Sequence, residues 1–353
     1  MGKLEETLAK ITAIDKSLLE KTQKRLDNLT KPLGSLGRLE EIAKLVVAIT
    51  GKENPPIKNK VIFTMAGDHG VVEENVSAYP SEVTPQMVYN FLRGGAGINV
   101  LAKFAGAKVI VADMGVACDL EKYPELVVRK INYGTKNMAK GPAMTRDEAI
   151  KSITAGIEIV EEELAKGIDI IGTGDMGIGN TTPSSAIVAA ITQTDVEKLT
   201  GRGTGIDDDK LSKKITAIKK ALEVNKPSKK DGLDVLSKVG GFEIGGLAGV
   251  ILAGASHKIP VVIDGFISGA AALIAYTLEP KVKDYLIASH CSVEIGHRII
   301  LDYISLSPLL NLNMRLGEGT GAALGINLIE ASIRIMTEMA TFEGAGVSTA
   351  IEK

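Results

Sequence analysis

Apolar residues along this chain recur first at helical spacing and then in short unbroken runs. Residues 4–29 and 38–50 carry Leu, Ile and Val every three or four positions, as amphipathic helices do, with KPLGSLG between them. Past residue 60 come VIFTMAG (61–67), KVIVADMG (108–115), IDIIGTG (168–174), IPVVIDG (259–265) and the weaker KDYLIASH (283–290). Each run ends in Gly or a polar residue and leads through a loop into a helix-like segment. A strand with one face in water would alternate apolar and polar positions. Strands without that alternation predict a parallel sheet with helices on both faces, an α/β fold. Ligands of such sheets collect at the C-terminal strand ends, where the polar tails lie. Residues 321–340 return to helical spacing and are expected to pack with the N-terminal helices as a second lobe. The expected division is a small helical domain from 1–50 and 327–353 and a large α/β domain over 51–326.

Composition narrows the function classes. Forty-one Lys and Arg against forty-three Asp and Glu leave a net charge of -2, so no overall basic field draws in nucleic acid. Aromatics are 4% with no Trp, so base-stacking platforms are not expected either. Two cysteines, Cys118 and Cys291, make no disulfide framework and fit a reducing cytoplasm. The opening MGKLEETLAKITAIDKSLLEKTQ reads as a charged amphipathic helix without a secretory apolar core. The longest apolar stretch, 261–278, is interrupted by Asp264, Gly265, Ser268 and Gly269, and so reads as a buried strand and helix rather than a membrane span.

Several stretches can carry chemistry. In AGDHGVVEENVSAYPSEVTPQMVYNFLRGGAGINVLA (66–102), Asp68 and His69 directly follow a strand. They are expected in the cleft as ligand-orienting groups, with strand-end capping as the plain alternative. GGAG (94–97) opens a helix and can present backbone N–H groups to an anion. IDIIGTGDMGIGNTTPSSAIVAAI (168–191) holds a literal G-x-G-x-x-G at Gly172, Gly174 and Gly177 between a strand and a helix. Asp195 lies about 20 residues on, the distance of a ribose-binding acid, but no second strand precedes it. A mononucleotide phosphate held by Gly177, Gly179, Asn180 and Thr181 at the helix start fits better than a nicotinamide dinucleotide.

TGRGTGIDDDKLSKK (200–214) adds a second glycine turn. Its aspartates read as a metal–pyrophosphate site or, better, as acids at the start of the helix LSKKITAIKKAL, and Lys214 is a candidate partner for a phosphate. ASHCSVEIGHR (288–298) sets His290 and Glu294 at helical spacing with Cys291 and His297 close by. Without an HExxH or CxxC pattern it reads as a strand-end loop entering a helix. No metal or cofactor is expected. Finally, MRLGEGTGAALG (314–325) places Glu318 between two glycines where a helix begins.

KPLGSLGRLE (32–40), AGDHGV (66–71), GDMGIGNTTP (174–183), DGLDVLSKVGGFEIGGLAG (231–249), DGFISGAAAL (264–273) and MRLGEGTGAAL (314–324) share one likeness. Together, over nearly the whole chain, they resemble the nicotinate-nucleotide–dimethylbenzimidazole phosphoribosyltransferase family. The resemblance implies a Rossmann-like large domain, a small helical domain from both chain ends, and a homodimer. It implies transfer of 5-phosphoribose from nicotinate mononucleotide to dimethylbenzimidazole or a related aromatic base, giving α-ribazole 5′-phosphate and nicotinate for the cobalamin lower ligand. It further implies that Glu318 is the catalytic base and that the phosphate rests on the turns around Gly177 and Gly203 near Lys214. Gly265 and Ser292 are implied near the ribose, and Tyr79, Met87 and Met176 where the aromatic base enters.

That chemistry needs a carboxylate. One ring nitrogen of benzimidazole attacks C1′ opposite the leaving nicotinate, and the other N–H turns acidic and must lose its proton. Flanking glycines let backbone and substrate approach Glu318, and a helix starting near Thr320 favours its ionised form. Asp175 stands where the family commonly carries Glu, one methylene shorter, so a part in proton removal would pass through a water. The shortening leaves open a paralogue acting on phenolic or other bases. Two other classes compete: a dinucleotide-dependent dehydrogenase using the glycines of 172–177, and a non-catalytic nucleotide-binding subunit.

Overall fold

The computed structural model describes residues 2–203 and 205–348. Its strands are β1 (Lys60–Gly67), β2 (Ala107–Gly115), β3 (Leu126–Val128), β4 (Ile170–Met176), β5 (Val261–Ile263) and β6 (Leu286–Ala288). They form one sheet in the order β3-β2-β1-β4-β5-β6, every pairing parallel. Chain order therefore reverses between β1 and β4, and the loops leaving those two strands diverge to opposite sides. Such a switch point leaves a crevice above the strand ends.

Burial explains why the runs do not alternate. Val61, Phe63 and Met65 of β1 join the core formed with the helix Phe242–Ser256, whereas Ile62 and Ala66 join the opposite core with Ala322, Ile326 and Ile329. Both faces of the central strand are thus covered, by Phe242–Ser256 and by Thr320–Glu338. β3 is absent from the expected set. It has three residues at the sheet edge, pairs only with Val111–Asp113, and leaves Val128 exposed, so it carries no long apolar run.

The expected helix over 4–29 is two helices, Lys3–Lys10 and Ser17–Asp27. Asp15 starts the second by accepting the Ser17 N–H at 2.9 Å, a local alternative to continuing the first helix. Leu4 and Ile11 join the main core, with Lys3 paired to Glu161. Ser17–Asp27 instead meets the C-terminal segment: Arg25 donates to the Met336 carbonyl at 2.9 Å, and Thr30 N–H to the Ala340 carbonyl at 3.0 Å. Of the expected C-terminal part, 327–353, residues 349–353 lie outside the described residues.

Candidate active site

The turn bearing Glu318 is unusual backbone. Gly317, Glu318 and Gly319 have φ of 80°, 65° and 101°, three successive residues in the left-handed region. A side chain with a Cβ there is strained by about 1–2 kcal/mol, so the surroundings must hold it. Thr64 Oγ1 of β1 donates to the Glu318 carbonyl at 2.9 Å. Asp264, directly after β5, accepts the Gly319 N–H at 3.1 Å. Gly174 of β4 packs so closely beneath that an added Cβ would lie 2.2 Å from the Glu318 carbonyl oxygen. Glu318 therefore stands over the switch point, and its position is fixed by three strands.

Its carboxylate is buried and has a specific partner. Oε2 accepts the Ile98 N–H at 3.1 Å, at the start of the helix Gly97–Ala105, and the Gly97 N–H also contributes. GGAG does cradle an anion, and the anion is the protein's own Glu318. Burial raises the Glu318 pKa, and the two N–H groups oppose that rise without cancelling it. A carboxylate made more basic by burial, with two N–H groups at a helix N-terminus favouring its ionised form, suits proton abstraction.

Beside this turn lies a cavity of about 460 Å³. Of the expected site residues, Tyr79, Asp175, Asn180, Thr181, Gly203, Gly265 and Ser292 line it. Phe266, Ile267, His290, Glu294, Arg315, Leu316 and Gly317 complete the wall. Asp175 ends β4 and faces Gly317, where an added Cβ would be 3.3 Å from either carboxylate oxygen. One oxygen of Asp175 accepts Asn180 Nδ2 at 2.9 Å, and the other has no hydrogen-bond partner among the described residues. Burial, then the carboxylates of Asp264, Glu243 and Glu318, push the Asp175 pKa well above the ordinary aspartate value, and Asn180 only tempers this. Asp175 therefore holds a proton far more readily than a surface aspartate.

Lys214 comes up beneath the wall. Only 1% of it is exposed, and its Nζ donates to Thr181 Oγ1 at 2.8 Å and to the Gly201 carbonyl at 3.2 Å. Gly203 lies directly against it, since an added Cβ would sit 3.4 Å from Nζ. Burial pulls the Lys214 pKa from 10.5 to about 8, with Glu294 working against the fall. A buried ammonium, a hydroxyl and a helix start at Thr181 make one anion cradle.

Other expected residues lie elsewhere. Gly172 and Gly174 hold no phosphate: a Cβ on Gly172 would meet Ile62 and Ala322, so these glycines let the helix Thr320–Glu338 settle on β4. Gly177 likewise packs under β1, 2.3 Å from the Gly67 carbonyl for an added Cβ, and stays off the cavity wall. Asp68 and His69 turn inward rather than into the cavity. Asp68 accepts the Ala117 N–H at 2.8 Å, and His69 Nε2 lies 2.8 Å from the fully buried Glu243. Met87 and Met176 are half-buried against the core that holds Ala322 and Ile326 and do not line this cavity, although Met176 directly follows the lining residue Asp175. Asp207 caps the helix Asp208–Asn225 by accepting the Lys210 N–H at 2.8 Å, as a helix-start acid should.

Residues that sequence reasoning passes over are Thr64, Asp264, His290 and Arg315. From sequence His290 is weighed as a metal ligand, with a strand-end loop favoured and no part in the site. It lines the cavity near Gly265, and burial lowers its pKa.

Comparison with known proteins decides the lineage. The family model described as Phosphoribosyltransferase (DBI_PRT) matches residues 11–347. The chain belongs to this phosphoribosyltransferase family. It is 58% identical over 348 residues to a Geobacter sulfurreducens protein named nicotinate-nucleotide–dimethylbenzimidazole phosphoribosyltransferase, covering 99% of each chain. A protein of the same name from Geotalea uraniireducens is 59% identical, again over 99% of both. Among solved structures, CobT from Thermus thermophilus superposes with a TM-score of 0.92 at 45% identity, over 95% of this chain and 100% of that one. The phosphoribosyltransferase thus carries its unusual Gly–Glu–Gly turn on the parallel α/β sheet expected from its sequence.

Proposed function

We propose that this chain moves 5-phosphoribose from nicotinate mononucleotide to dimethylbenzimidazole or a related base, yielding α-ribazole 5′-phosphate and nicotinate. One observation carries the reading: a single cavity is bordered at Thr181 and Gly203, which touch the buried Lys214 ammonium behind the wall, and at Gly317, the residue before the buried Glu318. The phosphate takes the cradle of Thr181, Gly203 and Lys214, which places the ribose against Gly265 and Ser292. The incoming nitrogen attacks C1′ as the bond to the pyridinium nitrogen of nicotinate breaks. Nicotinate leaves with that electron pair, which is why the departure needs no acid. Glu318 takes the N–H proton of the attacking ring, and Asp175, hydrogen-bonded to Asn180 on the cavity wall, is the second acid beside it. The assigned names of the relatives support the substrates. A dinucleotide dehydrogenase is disfavoured because Gly172 and Gly174 are committed to strand packing. Incubation with nicotinate mononucleotide and dimethylbenzimidazole, followed by chromatography, is expected to show equimolar nicotinate and α-ribazole 5′-phosphate. Binding without nicotinate release would refute the transferase reading.

The base pocket is expected to be permissive. Tyr79, Phe266, Ile267 and Leu316 give the cavity an apolar portion, and shape alone is worth only ~1–3 kcal/mol per missing methyl. In competition assays benzimidazole and p-cresol should both be used, the phenol losing its single proton to Glu318. A preference for dimethylbenzimidazole of several thousandfold over both would rule the permissive pocket out.

We read the enzyme as a cytoplasmic homodimer. Two free cysteines support a reducing compartment, and among the described residues no helix is long and apolar enough to cross a membrane. Val100 and Phe104, 64% and 76% exposed one turn apart on the helix Gly97–Ala105, support a partner surface. Sedimentation equilibrium at twice the monomer mass is the expected result.

A further inference from the structure

The helix Thr320–Glu338 has Gly319 at its N-cap, a residue with no side chain to satisfy the first N–H groups. Glycine is there because φ is 101°, so the cap must come from another element. Asp264 supplies it. Its Oδ2 accepts from Gly319 at 3.1 Å, and its Oδ1 from Gly321 at 2.6 Å and Ala322 at 3.2 Å. Asp264 is itself immobilised, since its N–H donates to Thr173 Oγ1 at 3.2 Å and its carbonyl accepts Ser289 Oγ at 3.1 Å. It is fully buried and does not reach the cavity wall.

We propose that Asp264 is the positioning residue of the transfer reaction, a carboxylate that fixes Glu318 by gripping the backbone N–H groups immediately after it. The inference rests on Glu318 being the base. Three donors converge on two oxygens, and a carboxylate can accept all of them. An amide of the same shape offers one acceptor and turns two N–H hydrogens toward at least one of the donors. That collision displaces the turn, which has little conformational freedom of its own because Thr64 and Gly174 hold its other side. A shift of about 1 Å in a reacting group costs on the order of 10² in rate. The phosphate cradle belongs to other elements, Thr181, Gly203 and Lys214, and the backbone before Gly265 stays anchored by Thr173 and Ser289, so nucleotide binding is expected to change little.

The test is Asp264→Asn, alone and combined with Glu318→Gln, with nicotinate mononucleotide affinity measured by calorimetry beside single-turnover rates. The expected result is a kcat loss of about 10²-fold with mononucleotide affinity within about threefold of the parent. In the Glu318→Gln background the same change is expected to cost less than about threefold more, because groups acting as a unit are not additive. Losses that multiply, or affinity that falls in step with kcat, would overturn the proposal in favour of a general structural role. Should Asp264→Asn not fold, Asp264→Ser, which keeps one acceptor in a smaller side chain, is read the same way. Full activity in a folded Asp264 variant, with Glu318→Gln inactive, rejects this inference alone; full activity in Glu318→Gln rejects the base assignment beneath it.

Discussion

Glu318→Gln is expected to lower kcat by about 10²- to 10⁴-fold, the usual cost of losing a general base, while leaving nicotinate mononucleotide affinity nearly unchanged. The amide has the carboxylate's shape, so its oxygen can still accept the Ile98 N–H that the carboxylate takes at 3.1 Å. Only the basic lone pair is removed. The pH profile adds a second signature. Burial raises the Glu318 pKa above the ordinary glutamate value, so the acid limb of kcat lies above that value and disappears in the variant. Near-parental turnover in a folded Glu318→Gln enzyme would remove Glu318 from the chemistry.

Lys214→Met is expected to act on binding instead. A buried charge-assisted hydrogen bond is worth roughly 1.5–3 kcal/mol, so the KM for the mononucleotide should rise about 10- to 100-fold with a smaller change in kcat. The parent's pH dependence has a defined direction. The Lys214 pKa falls from 10.5 to about 8 in the folded protein, so below pH 8 the fold carries an unfavourable buried charge. That cost fades as pH rises from about 8 towards 10.5, and this group makes the free enzyme relatively more stable across that window. Phosphate needs the charged form, so mononucleotide affinity should weaken as pH rises through about 8. Lys214→Met should abolish that dependence and, by removing the charge that the free fold buries at a cost, raise the melting temperature at pH 7 above the parent's. An unchanged KM would place the phosphate elsewhere.

The legibility of this chain follows from what each signal physically requires. Five strands are readable because both faces of each are covered, whereas β3 has too few residues and too little burial to leave a run. Glu318 is visible because a charged residue between two glycines has no cheap structural excuse. Lys214 is visible because it follows a glycine turn. Gly172 and Gly174 mislead, since a phosphate turn and a tight strand–helix contact both demand a missing Cβ, and spacing cannot separate them. Met87 and Met176 rest on the resemblance alone, and they pack against the core without lining the cavity. Asp264 is hidden for another reason. An aspartate after a strand looks like any other strand-end acid until the turn it grips, 55 residues later, is in place.

The distances in sequence behind the Gly–Glu–Gly turn bear on how the enzyme is made. Glu318 leans on Thr64 and Ile98, which precede it by 254 and 220 residues, and such remote contacts close late because the long loops between them must first be ordered. During synthesis the cradle of Thr181, Gly203 and Lys214 leaves the ribosome more than a hundred residues before the base does. The helix that follows Glu318, Thr320–Glu338, covers one face of the central strand, so the same late segment brings the acid and closes the core on that side. The base is thus put in place by the step that completes the sheet's cover, and loss of that helix would remove the acid and uncover the core together.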